Sequence, residues 1–125
     1  MTTDDKALCV CIESPLRGEI GRNRAYADAC MLDALERGEA PFLGHLLYPR
    51  VLDDDAPLDR AMGIAAHVAW LRRADLIAVY TDLGITEGMR LALVEARRLG
   101  VRVEYRQLDH AWLEQARIRA TPGFL

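Results

Sequence analysis

Residues 76–100 read LIAVYTDLGITEGMRLALVEARRLG, and this stretch decides the fold. Its first part, Leu76–Tyr80, is an unbroken apolar run, the pattern of a strand buried on both faces of a parallel sheet. Thr81, Asp82 and Gly84 break the run as a turn. Helical spacing then runs from Thr86 to Leu99. Thr86 is a suitable N-cap and Glu87 suits the positive end of the helix. Gly100 ends it. A strand that feeds a glycine-containing turn and a helix N-terminus is a common anion- or sugar-binding corner, because free N–H groups point over the strand's carboxyl edge.

The same alternation extends outward in both directions. Ala7–Ile12 (ALCVCI) predicts a first buried strand, and Glu13–Gly18 (ESPLRG) a loop marked by Pro and Gly. Asn23–Arg37 predicts a helix with Tyr26, Ala27, Cys30, Met31, Ala34 and Leu35 on its apolar stripe and Gly38 as its stop. Phe42–Tyr48 reads as a second strand closed by Pro49. Val51–Pro57 (VLDDDAP) is a polar loop. Leu58–Arg73 reads as a helix with Met62, Ala65, Ala66, Ala69 and Trp70 inward. Val101–Tyr105 alternates, as an edge strand with one wet face does. His110–Arg119 reads as a short helix, and Ala120–Leu125 as a tail, loose or docked on a neighbouring subunit.

This β-α-β-α-β-α-β order predicts a small doubly wound α/β fold of the Rossmann or flavodoxin-like kind. It has four to five parallel strands in the order 2-1-3-4 and helices on both faces. Such a sheet has its switch point between the first and third strands, and ligands bind beyond the carboxyl ends there. The loops Glu13–Gly18 and Thr81–Gly88 meet at that point, with Tyr48–Arg50 nearby.

The bulk properties bound the function. A chain of 125 residues, 51% hydrophobic and 28% charged, suits one globular domain spanning 1–125. A net charge of −3 argues against a nucleic-acid-coating surface. Lys6 is the only lysine, so the excess of arginine reads as base composition rather than phosphate binding. Three cysteines, Cys9, Cys11 and Cys30, form no CxxC pair, which gives neither a disulfide framework nor a zinc site. Cys9 and Cys11 share one strand face and read as core. The polar N-terminus is no signal peptide, and no apolar run spans a membrane, so a reducing cytoplasm is expected.

The switch-point loops supply the candidate chemistry. Ser14, Arg17 and Gly18 combine a hydroxyl, a fixed cation and a permissive backbone, adequate for a phosphate or a sugar. Alone, they are a turn with an exposed arginine. There is no P-loop signature. Gly88 costs roughly 1 kcal/mol against alanine in a helix, so a close ligand or a close helix contact would explain it. Asp82 either binds ribose hydroxyls or closes the turn. His45 reads as a satisfied strand side chain, His67 lies one residue off its helix stripe, and His110 is near the tail. No metal-ligand spacing, GxSxG elbow or EF-hand pattern occurs, so no metal or cofactor is expected.

Four short motifs in register then resemble a family: SPLRG after the first strand, HLLYP closing the second, AWLRRAD before the third and GITEGM opening the third helix. They are similar to the nucleoside 2-deoxyribosyltransferase-like superfamily, which includes deoxyribonucleoside monophosphate N-glycosidases and small phage and bacterial relatives. The likeness covers about Ala7 to Arg106. It implies cleavage or transfer at the N-glycosidic bond of a nucleoside or nucleoside monophosphate by a glutamate nucleophile, as in retaining glycosidases. The implied substrate-binding set is Ser14, Arg17, Gly18, Asn23, Tyr48, Asp82, Thr86, Gly88 and Met89. Thr86 in place of an aspartate leans toward a phosphorylated substrate. The family also implies a homodimer or higher homo-oligomer, with Trp112, Phe124 and Leu125 as candidates for covering a neighbour.

The chain departs from the pattern at the decisive position. The glutamate is expected six residues after Thr86, and Ala92 stands there. Three readings follow, in this order: a glutamate replaced to trap substrate, natural loss that leaves a nucleotide-binding protein, or relocation of the role to Glu95 or Glu87. Cys11 and His67 also depart from residues common among relatives.

Overall fold

The stretch around residue 80 folds as its sequence predicts. In the computed structural model, which describes residues 6–108, Leu76–Tyr80 forms a strand, β3, buried along its whole length. Full burial of a Leu, Ile or Val side chain contributes about 1.5–3 kcal/mol each, so this strand anchors the core. The helix that follows, α4 (Glu87–Leu99), starts on a capping box. The Met89 N–H donates to Thr86 Oγ1 at 3.3 Å, and the Thr86 N–H reaches back to Met89 Sδ at 3.5 Å. Gly100 ends α4 at φ 71°, a left-handed conformation that glycine adopts without a Cβ penalty.

Three further strands complete the sheet: β1 (Cys9–Glu13), β2 (Ala40–Phe42) and β4 (Val103–Arg106). All pairings are parallel and the order is β2-β1-β3-β4. The expected 2-1-3-4 order is thus present. Helix α1 (Ile20–Glu36) covers one face, where Tyr26, Ala27, Cys30 and Ala34 pack on Val10, Ile12, Leu76, Ala78 and Tyr80. Helices α3 (Pro57–Arg73) and α4 cover the other, where Leu71, Met89, Ala92, Leu93 and Ala96 pack on Cys11, Ile77 and Val79. Strand alternation sends successive side chains to these two layers.

The second strand differs from expectation. Rather than Phe42–Tyr48, β2 ends at Phe42, and a helical turn, α2 (Gly44–Leu47), and a 3-10 turn (Tyr48–Arg50) follow. The run FLGHLLY is apolar but for His45, so its periodicity does not separate strand from helix. The helical turn is set by long-range packing, because it buries Leu43 and seats Leu46 against the α1 layer. His45 therefore lies on a helix and not in a strand.

Helix α3 also differs. Of its expected inward residues, Met62 is 59% exposed, Trp70 is 47% exposed, and Ala65 and Ala69 are exposed. Leu71 is the buried one. The helix is apolar nearly all round, so spacing alone could not choose its face. On α1, Leu35 is exposed and Met31 only half-buried. Cys9 is exposed at the amino end of β1, whereas Cys11 is buried. Strand β4 runs two residues later than expected at its start and one later at its end.

Strand β4 is an edge strand with Tyr105 exposed, as expected, and Arg106, one residue beyond the expected end, is its buried residue. The Arg106 guanidinium is buried and forms a two-point pair with Glu39 at 2.7 and 2.6 Å, with Glu104 at 3.3 Å and the Tyr80 hydroxyl at 3.2 Å beside it. Tyr80 in turn donates to Asp33 on α1 at 2.7 Å. The edge strand is thereby tied to the α1–β2 connection. The expected helix at His110–Arg119, the tail from Ala120, and Trp112, Phe124 and Leu125 lie outside the described residues.

Candidate functional site

The carboxyl ends of β1 and β3 lie side by side, because Glu13 pairs in register with Val79. The chain leaves β1 toward α1 on one face and leaves β3 toward α4 on the other. The order β2-β1-β3-β4 puts the switch point there.

The first loop, residues 14–19, is held from below. Asn23 is buried, and its amide donates to the carbonyls of Leu16 at 3.0 Å and Arg17 at 2.9 Å. Asn23 is thus a loop-positioning residue. Gly18 turns the chain at φ 97°. Arg17 crosses to the loop before α3, where its Nε donates to Asp54 Oδ2 at 2.6 Å and its side chain lies 3.8 Å from Asp55. The pair is exposed, which limits it to roughly 0–1 kcal/mol, so a stronger anionic partner can compete for the guanidinium. The acidic loop otherwise folds on itself. The Asp55 N–H donates to Asp53 Oδ1 and the Asp53 N–H to Asp59.

Between loop and sheet lies a polar cluster. Ser14 Oγ and His45 Nε2 are 2.6 Å apart. Burial holds the His45 imidazole neutral, down to about 4, against the opposing pull of the Glu13 charge. Glu13 is the last residue of β1 and is 6% exposed. Its Oε2 accepts from His67 Nε2 on α3 at 2.8 Å. Burial works against the His67 cation, but the hydrogen bond it donates to Glu13 and the Glu13 charge outweigh it, and the pKa is raised. His67 Nδ1 is buried and has no hydrogen-bond partner among the described residues. It lies against Gly44, where an added Cβ would stand 2.7 Å from Nδ1. Glycine at 44 is what lets the ring in. The same Glu13 carboxylate, after burial itself, pushes the Cys11 thiol up to about 12.

Asp82 ties the second loop to its neighbours. Its Oδ1 accepts from the Tyr26 hydroxyl at 2.5 Å, and its two oxygens accept from the Leu108 N–H at 2.9 and 3.0 Å. These contacts run to α1 and to the chain after β4, whereas the turn itself is closed by the Gly84 N–H on the Thr81 carbonyl at 2.9 Å. At α4, an added Cβ on Gly88 would meet nothing nearer than Thr86 Oγ1 at 3.9 Å among the described residues, so no described helix accounts for that glycine. Met89 is buried in the core. Tyr48 accepts from Trp70 Nε1 at 3.0 Å and sits edge-on to Phe42, which packs against Trp70.

Ala92 is 7% exposed and packs with Cys11, Met89 and Leu93. The two glutamates proposed to relocate its role lie elsewhere: Glu87 pairs with Arg90, and Glu95 with Arg98 at 2.8 Å, each one turn along α4. The carboxylate missed in the sequence is Glu13, which reads as a loop residue and is a buried strand end. Its signal was position alone: an acid closing an apolar run, directly before Ser-Pro.

Among the described residues no three His, Cys, Asp or Glu side chains converge to hold a metal ion, and no helix is long and apolar enough to cross a membrane. No curated protein matches the chain. A family model does, over residues 8–106, which holds every strand and helix described above. The chain therefore belongs to the family described as domain of unknown function DUF7768.

Proposed function

We propose that this chain binds a nucleoside or nucleoside monophosphate over the carboxyl ends of β1 and β3, on a scaffold built for chemistry at the N-glycosidic bond. The observation that carries the reading is the juxtaposition at the switch point: the Ser14–Gly18 loop on one side, and the open Thr86–Gly88 start of α4 on the other. The likeness of SPLRG, HLLYP, AWLRRAD and GITEGM to the nucleoside 2-deoxyribosyltransferase-like superfamily supports the ligand class. Ser14 offers a hydroxyl, and Arg17 a cation held, among the described residues, by the exposed Asp54 and Asp55. The first N–H groups of α4 suit a phosphate or a sugar oxygen. In a form bearing glutamate at 92, that carboxylate would attack the anomeric carbon.

The second reading, a nucleotide-binding or sequestering protein without catalysis, is favoured by the packing of Ala92. Its methyl is part of the core rather than a gap at the site. One experiment separates the two. Ala92→Glu is assayed for free-base release from a panel of nucleoside monophosphates. Release supports the glycosidase scaffold, and binding without release supports the sequestering protein.

A homodimer or larger homo-oligomer fits the same reading. Leu58, Met62, Ala65 and Ala69 form an exposed row along α3, apolar at helical spacing. A reducing cytoplasm suits three free thiols.

A further inference from the structure

Among the described residues, strand β2 is an edge of the sheet, and its sequence is unsuited to pairing with a further strand. The Ala40 N–H donates inward to the Leu8 carbonyl at 2.8 Å. Alternation along the strand turns the next residue, Pro41, toward the open side, where it has no N–H to offer. Beside this edge lies an apolar groove of about 260 Å³. Met31 of α1, Pro41 to Leu43, and Leu46 and Leu47 of α2 line it. Leu47 is 48% exposed, so part of that apolar surface meets water.

Arg50, in the 3-10 turn, is the one charged residue of the lining. It is exposed and makes no hydrogen bond or ion pair among the described residues. The aspartates that follow it in sequence are engaged elsewhere. Asp53 Oδ1 accepts from the Asp55 N–H, and Asp54 pairs with Arg17 and Arg60. An uncompensated cation therefore stands beside an open apolar hollow, and a ligand with an apolar body and one anionic end satisfies both.

The groove is not the switch-point site. The short helix α2 has two faces: His45 meets Ser14 at 2.6 Å, while Leu46 packs toward the α1 layer and lines the groove. No residue of the loops after β1 and β3 lines it.

We propose that this groove is a second ligand site, for a small apolar carboxylate. The acyl chain lies against Met31, Leu43 and Leu46, and the carboxylate meets the Arg50 guanidinium, whose paired N–H donors match its two oxygens. At about 30 Å³ for each water-sized group, the volume holds roughly nine such groups, the size of octanoate and too small for a long-chain lipid. Absence of the outward N–H at Pro41 argues against an added peptide strand as the occupant. The assignment is independent of the nucleotide reading.

The test is methyl NMR of the full chain, titrated with hexanoate, octanoate and octanol. Octanoate should give saturable shifts at Met31, Leu43, Leu46 and Leu47. Hexanoate, shorter by two methylenes, should bind about tenfold more weakly. Octanol, which lacks the charge, should also bind more weakly than octanoate. Arg50→Gln, at an exposed position, should bring octanoate down to the affinity of octanol and leave octanol unchanged. Leu47→Asp should weaken all three. Equal affinity of the native chain for octanoate and octanol, or a loss in Arg50→Gln shared by both, overturns the carboxylate assignment. Shifts centred outside the groove, or none that saturate, overturn the site. Shifts at these methyls that follow protein concentration without any probe, and vanish in Leu47→Asp, give the groove to a second copy of the chain and overturn the proposal as well.

Discussion

Glu13 accepts a hydrogen bond from His67 at 2.8 Å across 54 positions of sequence, joining the end of the central strand β1 to the middle of α3. The bond raises the His67 pKa above its ordinary value. Its stabilising contribution is therefore complete below the unfolded pKa of about 6.5 and is lost as pH rises through the folded value. The melting temperature of the native chain, measured relative to His67→Gln, should fall as pH is raised from mildly acid to mildly alkaline. A difference that grows with pH would contradict the pairing.

His45 carries the opposite sign. Burial lowers its pKa to about 4, so its contribution is complete above the unfolded value and is lost as pH falls through 4. Acid unfolding of His45→Gln should begin at lower pH than that of the native chain, since glutamine has no proton to take up. Circular dichroism during acid titration reads this directly.

Gly44 and Gly63 separate a packing constraint from a helix preference. Gly44→Ala puts a methyl 2.7 Å from His67 Nδ1 and should destabilise by about 1–3 kcal/mol. Gly63→Ala, inside α3 and 3.4 Å from the end of the flexible Leu52 side chain, should cost nothing or gain up to about 1 kcal/mol. Urea denaturation of the two variants gives both numbers.

Gly88 distinguishes ligand from scaffold. Alanine there has room among the described residues, with Thr86 Oγ1 the nearest atom at 3.9 Å, so stability should hold or rise slightly. Binding of a nucleoside monophosphate should weaken about tenfold or more if its phosphate or sugar approaches the α4 backbone, because the added methyl occupies that approach. Calorimetry alongside thermal melting separates the two effects.

The buried pair of Arg106 and Glu39 is a large term in the fold. Glu39→Ala leaves the Arg106 guanidinium buried without its two-point partner, and a loss of about 3–5 kcal/mol is expected in denaturant melts. A loss under 1 kcal/mol would show that Glu104 and the Tyr80 hydroxyl suffice.

What could be read in the sequence follows from the range of each signal. Thr86 and Gly100 bound α4 as read, because caps are local chemistry. The strand order follows from alternation and handedness, and it is the order present. Phe42–Tyr48 misled because an apolar run carries no period, and the decision between strand and helix lay in packing against α1. The inward face of α3 misled for a related reason, since its apolar residues point everywhere. The contacts of Asp82 with Tyr26 and Leu108 span 56 and 26 positions, beyond what a local reading of the turn reaches. Glu13 was invisible as a site residue because its partner is 54 positions away and no spacing rule reaches that far.

The most direct measurement of the nucleotide-site reading is calorimetric titration of the native chain with 2′-deoxyribonucleoside 5′-monophosphates, set beside Ser14→Ala and Gly88→Ala. Saturable one-to-one binding, weakened about tenfold in both variants while their melting temperatures hold, is the predicted result. Absence of binding to the monophosphates and to free nucleosides alike, or binding that neither substitution weakens, would contradict a nucleotide site over β1 and β3.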